Sequence, residues 1–387
     1  MALDRFEVRV SLEKLLIVLI VILVPLNFIG LYLTMQSHSA VEQTTGTLFR
    51  DIAQSNAIAA RQFIDDRVTN VGAIASQPAV VDAILATNRA SGQINDAAKT
   101  TKIADTEKKW TTAEVDSLVA GILASRASAS LRHYRELDPR FMKLIVVDAN
   151  GVPVAATDKP AHYAPVDEVF WQGVSAQGKG AVYVSEVLFD GQGTASYIGI
   201  GFPVLDENSR RFIGAVHALV DVSGLFALLN REQPGRTTAT LLVKEDGTVI
   251  SAPNVTPAMQ MKSEEYGAVR DALGTLQGRQ AGYVIASMRG GNRIVGFADT
   301  GLTPSYSNLS WFVMVSQNEH EALAPVRTVG YFAILMVVVG LLMVTLLAAY
   351  FFLHRAQEMA DIEVPEKQEL PHEQHEGLHE EEHARVR

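Results

Sequence analysis

The chain has 387 residues, of which 48% are hydrophobic, 7% aromatic and 20% charged. Its net charge of −10 argues against a nucleic-acid partner, because phosphate binding needs a basic face. It holds no cysteine, which excludes disulfides, thiolate chemistry and cysteine-ligated zinc and suits an extracytoplasmic setting.

Residues 1–14 carry Arg5, Arg9 and Lys14 ahead of an uncharged run, Leu15 to Thr34. A second uncharged run extends from Val329 to Leu353, preceded by Arg327 and followed by His354 and Arg355. Each run is long enough for a helix to cross about 30 Å of hydrocarbon, which predicts transmembrane spans at 15–34 and 329–353. The first is too long for a cleaved signal peptide and reads as an anchor. The basic N-terminal flank places both termini in the cytoplasm and residues 35–328 outside a bacterial inner membrane.

Residues 35–138 read as a helical stalk. Leu48, Ile52, Ile58, Phe63, Val68, Val71 and Ile74 recur at helical spacing, an apolar stripe that also offers a homodimer contact. Pro78 marks a bend. The polar stretch from Asn88 to Trp110 reads as a loop, and a second helix, capped by Thr111 or Thr112, runs to Asp138.

At Phe141 the period changes to that of strands. "FMKLIVVDANGVPVAAT" is a hairpin turning at Asn150-Gly151, and three more strands follow, with turns at Gly191-Gln192-Gly193 and Asp206-Glu207-Asn208. "GLFALL" is helical. The layout then restarts: "TATLLVKEDGTVISAP" echoes the first hairpin, Gly247 standing where Gly151 did. A further hairpin turns at Gly290-Gly291-Asn292, and a buried strand and helix close the unit. These are two diverged copies of one α/β module, 139–232 and 233–328.

A span, a long helix, two tandem PAS-like modules and a second span resemble the double Cache sensor domain of bacterial transmembrane receptors. The resemblance rests on "LIVVDANGVPVAAT", "YAPVDEVFWQGV", "FIGAVHALVDVSGLF" and the echo "LLVKEDGTVISAP". It implies an α+β fold with a five-stranded antiparallel sheet per module, and a small ligand in the membrane-distal one. In the amino-acid-binding branch a tyrosine, an arginine, an aromatic pair and a later aspartate hold the ligand. Tyr163, Phe170-Trp171 and Asp221 match these, but Glu168 stands in the arginine position. A glutamate cannot grip a carboxylate as arginine does.

Read as chemistry, the loop sets Asp167 and Glu168 among Tyr163, Phe170 and Trp171, a combination that suits an amine or other cation. Asp221 adds a third carboxylate, and Tyr183, Ser185 and Tyr197 on intervening strands are further lining candidates. The bland reading stands beside it: Phe170 and Trp171 as core, Asp167 and Glu168 as a solvated cap. His162 flanks the loop, and His217 faces either core or pocket. No phosphate loop, serine elbow or zinc helix occurs, so no enzyme, metal or cofactor is expected.

The acidic tail, 354–387, holds His372, His375, His379 and His383 at spacings that share one helix face, but Pro365, Pro371 and its acidity favour a solvated tail. With no output domain after the second span, the expected function is a membrane-anchored sensor of a small amine or amino-acid-like ligand, signalling through that span to a separate partner. The competing class is a membrane-anchored structural or protein-interaction module with no metabolite ligand.

Overall fold

A computed structural model describes residues 12–164, 168–190, 195–231, 235–253, 260–273 and 280–362. The tail histidines, the turn at Gly191–Gly193 and Asp167 lie outside the described residues. The chain divides into two units, Ser37–Val326 and the paired flanks Met1–Gln36 with Arg327–Arg387.

The larger unit begins with most of α1 (Leu12–Ala75). Of its apolar stripe, Val68, Val71 and Ile74 are buried, Ile52 and Phe63 pack against the core, and Leu48 and Ile58 stay exposed. The stripe is therefore consumed by the domain's own core, together with Phe49, Ala53, Ala57, Ala60 and Ile64. Only its two exposed members remain for a dimer contact. α2 (Pro78–Gly92) starts with proline in its first turn, where the missing N–H costs nothing, at a 60° bend from α1.

The stretch read as a loop contains a helix, α3 (Asp96–Lys109), capped by Asn95, whose side chain accepts from the Ala98 amide at 2.8 Å. It has no buried residue, so it lacks the apolar stripe by which helices are recognised. The next helix is broken. After a short 3-10 turn come α4 (Asp116–Ala124) and α5 (Arg126–Leu137), parted at Ser125, whose hydroxyl caps α5 through the Ser128 amide at 3.1 Å.

The first sheet follows: β1 (Phe141–Asp148), β2 (Pro153–Ala156), the short helix α6 (Val169–Ser175), β3 (Tyr183–Val184), β4 (Leu188–Phe189), β5 (Ser196–Leu205), β6 (Phe212–Asp221) and helix α7 (Ser223–Leu229). Its order is β2-β1-β6-β5-β3, with β4 also on β5. The second sheet comprises β7 (Ala239–Lys244), β8 (Val249–Ser251), helix α8 (Glu264–Leu273), β9 (Ala281–Met288), β10 (Gly291–Asp299) and β11 (Trp311–Asn318), followed by α9 (Glu319–Ala322) and α10 (Ala324–Ile362). Its order, β8-β7-β11-β10-β9, repeats the first, and every strand pairing in both sheets is antiparallel. The first sheet departs from the five strands implied by resemblance through the two-residue β4.

The matching hairpins turn alike: Gly151 and Gly247 have φ of 80° and 82°, a conformation that glycine adopts without strain. Asp148, fully buried, secures the first turn by accepting from the Asn150 and Val152 amides at 2.8 and 3.0 Å. One face of each sheet packs on α1, where Leu144, Val146, Ala218 and Val220 of the first sheet and Leu242, Ile294 and Val313 of the second share one apolar cluster.

In the smaller unit, Gly340 of α10 lies against Leu23 and Asn27 of α1, so the two helices pack side by side there. Among the described residues no single helix is long and apolar enough to cross a membrane. Shorter apolar helices, Ile17–Tyr32 and Ile334–Tyr350, fall inside the two predicted spans. They expose Phe28, Tyr32, Met336 and Leu342.

Candidate functional site

The face of the first sheet turned away from α1 carries a cavity of about 130 Å³. That is the liquid volume of about four waters at roughly 30 Å³ each, room for a very small organic molecule. Strand alternation builds its floor: Lys143, Ile145 and Val147 on β1 and His217 and Leu219 on β6 project to this side. Pro153 of β2, the segment Pro160–His162, Glu168 and Phe170 form the remaining walls.

Two glycines create the space beside His217. On β5, Gly199 and Gly201 pair with Leu219 and His217 and share their face. A Cβ at Gly201 would lie 2.6 Å from the Phe170 ring, and one at Gly199 3.2 Å from His217 Nε2. With both side chains absent, Phe170 stacks on the His217 imidazole, centroids 3.7 Å apart and planes 17° from parallel. Packing around this ring, and secondarily the Lys143 charge, pushes the His217 pKa down to about 4, although part of its surface remains open to the cavity. The imidazole is therefore neutral at ordinary pH, offering one donor and one acceptor.

Lys143 supplies the positive charge. Its Nζ donates to the Lys159 carbonyl at 2.8 Å, and burial lowers its pKa against a smaller opposing effect of Asp158. Glu168 supplies the negative one. Its Oε1 lies 3.8 Å from His162 Nε2, while His162 Nδ1 lies 3.1 Å from Glu107 Oε1.

Glu107, on α3, holds the wall in place. Its Oε2 accepts from the amides of Tyr163 at 2.6 Å and Ala164 at 2.9 Å. Burial alone would raise its pKa, but the hydrogen bonds from Ala164, His162 and Tyr163 together hold it below the usual carboxylate range. One residue past α3, buried Trp110 donates Nε1–H to the Pro160 carbonyl at 2.9 Å and packs on the Tyr163 ring with centroids 5.1 Å apart. The cavity wall is thus clamped at both ends by a segment whose sequence reads as a loop.

Of the site residues expected from sequence, Glu168 and Phe170 line the cavity. The aromatic rings do not converge into a cation cage. Tyr163 packs on Trp110, Trp171 packs edge-on to Phe212 at 5.8 Å, and Phe170 covers His217. Tyr183 meets the far edge of Phe170 at 6.3 Å and lines a separate cleft with Glu186 and Lys244. Ser185 accepts from the Gly199 amide at 2.8 Å. Tyr197 and Asp221 are paired neighbours on the cavity's sheet face, beyond Leu219. The Asp221 carboxylate accepts from the amide and hydroxyl of Ser223, both at 2.8 Å, and so starts α7. Lys143 and the two glycines were legible only as alternation in "MKLIVV" and "IGIGF"; Glu107 carried no signal.

A family model for the Cache domain, of the double type, matches residues 37–326. The chain belongs to the Cache domain family. Among curated proteins, none matches it in sequence. This Cache domain is similar to several solved structures. One is the ligand-binding domain of the Pseudomonas aeruginosa amino acid chemoreceptor PctC in complex with GABA, 14% identical, covering 71% of this chain and 100% of that one, with a TM-score of 0.46. A second is the ligand-binding domain of the Pseudomonas fluorescens chemoreceptor CtaA in complex with L-isoleucine, 16% identical over 74% and 98% of the two chains, TM-score 0.46. A third is the extracellular domain of the putative histidine kinase vpHK1S-Z8, 11% identical over 74% and 96%, TM-score 0.47.

Proposed function

We propose that residues 37–326 are an extracytoplasmic sensor domain that captures a small molecule bearing an ammonium group and a separate acceptor. The observation that carries this reading is the pairing of opposite charges on one cavity, Lys143 on its floor and Glu168 on its wall. Glu168 takes the ammonium group, as the sequence suggests. Lys143 takes a carboxylate or carbonyl, replacing in space the arginine whose expected position Glu168 holds. His217, neutral and backed by Phe170, hydrogen-bonds either group without adding charge. Amines that also carry a carbonyl, and amino-acid-like zwitterions, both of very small size, are the chemical class that fits.

Membrane anchoring through 15–34 and 329–353, with the domain outside, belongs to the same proposal. It is supported by the cysteine-free composition and by the exposed apolar residues of Ile17–Tyr32 and Ile334–Tyr350. Ligand capture draws Pro160–His162 and Glu168 towards β1 and β6, and the change leaves the domain through α10 to a separate signalling partner.

The test is a thermal-shift screen of the detergent-solubilised full chain against small amines, amino acids and ω-amino acids. A ligand that prefers the native state raises the melting temperature. Glu168→Gln should weaken amine-bearing ligands about tenfold, and Lys143→Met should weaken the carboxylate-bearing ones by a similar factor, as expected for loss of one charge-assisted contact. If every hit keeps its affinity in both variants, the site is elsewhere.

A further inference from the structure

The second module has its own cavity, of about 390 Å³, on the face of its sheet turned away from α1. Arg293 of β10 lies in its wall beside the start of α8. The guanidinium is held by Nη2, which donates to Ser316 Oγ at 3.0 Å and to the Thr237 carbonyl at 3.1 Å. Its Nε is buried and makes no hydrogen bond. The facing carboxylate, Glu265, forms an ion pair with that Nε at 3.6 Å, too long for a hydrogen bond, and accepts instead from Ser263 Oγ at 2.9 Å and Ser316 Oγ at 3.5 Å. A buried N–H without a hydrogen-bond acceptor is rare in native proteins and marks a place where a closer acceptor fits. The cavity's other cation, Lys262, is committed to Asp246 and to Thr248 Oγ1 at 2.7 Å. Ser263 and the carboxylate of Glu264 also border the cavity at the start of α8, and the rest of the wall is largely aliphatic, from Leu241, Val249, Ala252, Met261 and Met288.

We infer that this cavity is a second ligand site, for a short-chain aliphatic monocarboxylate. The ligand's carboxylate takes the Nε edge of Arg293 as Glu265 swings out to solvent, and its alkyl chain lies on Leu241, Val249 and Met288. Exchange of one carboxylate for another leaves the half-buried guanidinium neutralised throughout, so the binding step leaves no charge unpaired. The inference is independent of the first-module cavity.

Methionine methyl NMR on the detergent-solubilised full chain reads this site directly, because Met261 and Met288 line it; Met261→Leu and Met288→Leu assign their resonances. Titration with sodium propionate, against sodium chloride at equal ionic strength, should move both methyls saturably. Arg293→Lys, which lacks the planar fork, should weaken the response at least about tenfold. Glu265→Gln, which removes the competing anion, should strengthen it severalfold. Wild-type methyls that stay unmoved up to about 10 mM propionate, beyond the millimolar limit of weak specific binding, would overturn the inference. So would a response that Glu265→Gln weakens. The wild-type titration decides the matter even if a variant fails to fold.

Discussion

At the scale of single residues, His217 and the glycines opposite it carry the sharpest predictions. The folded protein holds the His217 imidazole at about 4, against an ordinary value of 6.5. Between those values the unfolded chain binds a proton that the folded chain does not. The His217 contribution is therefore intact above about pH 6.5 and is lost as pH falls towards 4. Wild-type protein should lose up to about 3 kcal/mol more than His217→Gln over that interval, measured by denaturant unfolding at a series of pH values. Equal slopes for the two proteins would place the imidazole in contact with bulk water. Gly201→Ala tests the packing beside it. The added Cβ would press on Phe170 at 2.6 Å and Val174 at 3.0 Å, pushing the ring into the cavity. A cost of about 1–3 kcal/mol together with loss of ligand-induced stabilisation is expected.

At the scale of elements, two contacts decide where helices sit. Gly296 of β10 lets α1 lie directly on the second sheet: a Cβ there would fall 2.2–2.4 Å from backbone atoms of Phe49 and Arg50. Backbone cannot step aside as a side chain does, so Gly296→Ala should cost more than about 3 kcal/mol. A melting temperature within a degree or two of wild type would show that α1 slides freely over β10. The second contact is α3 on the cavity wall. Glu107→Gln leaves the Tyr163 and Ala164 amides facing a neutral acceptor, and about 1 kcal/mol of stability should go with it. The more telling outcome is weaker ligand binding, since Pro160, Ala161 and His162 lose their brace. Unchanged binding would confine Glu107 to a role in stability.

At the scale of the molecule, α1 is joined to the second module by Tyr306, whose hydroxyl donates to Asp65 Oδ1 at 2.9 Å. Burial, and then that hydrogen bond, push the tyrosine up to about 12. The contribution is complete below the ordinary value of 10 and is lost as pH rises from about 10 towards 12, where the unfolded chain ionises first. Alkaline unfolding of the wild type should therefore include a step that Tyr306→Phe lacks, and the variant should be about 1 kcal/mol less stable at neutral pH. The two modules also meet through the Glu186–Lys244 ion pair and through Asn308, which donates to the Val184 carbonyl at 3.3 Å. The exposed ion pair stabilises by no more than about 1 kcal/mol. Its interest lies in position: Tyr183, at the edge of Phe170, lines the same cleft, so the Phe170 ring in the first-module cavity is one side chain away from the second module.

The sequence by itself determined the periodic features. The stripe on α1, the change to strand alternation at Phe141, and the paired turns at Gly151 and Gly247 each repeat a local preference that the surrounding fold reinforces. Helix α3 escaped because a helix that buries nothing shows no stripe, and the break at Ser125 because a single capping hydroxyl interrupts an otherwise continuous helical pattern. Only the tertiary structure decided the site. Which of three neighbouring aromatics faces a cavity depends on what each ring finds to pack against: Trp110 for Tyr163, His217 for Phe170, Phe212 for Trp171. Those partners come from elements far apart in the chain. A loop's composition says which contacts it is able to make, and the free energy of the assembled core selects among them.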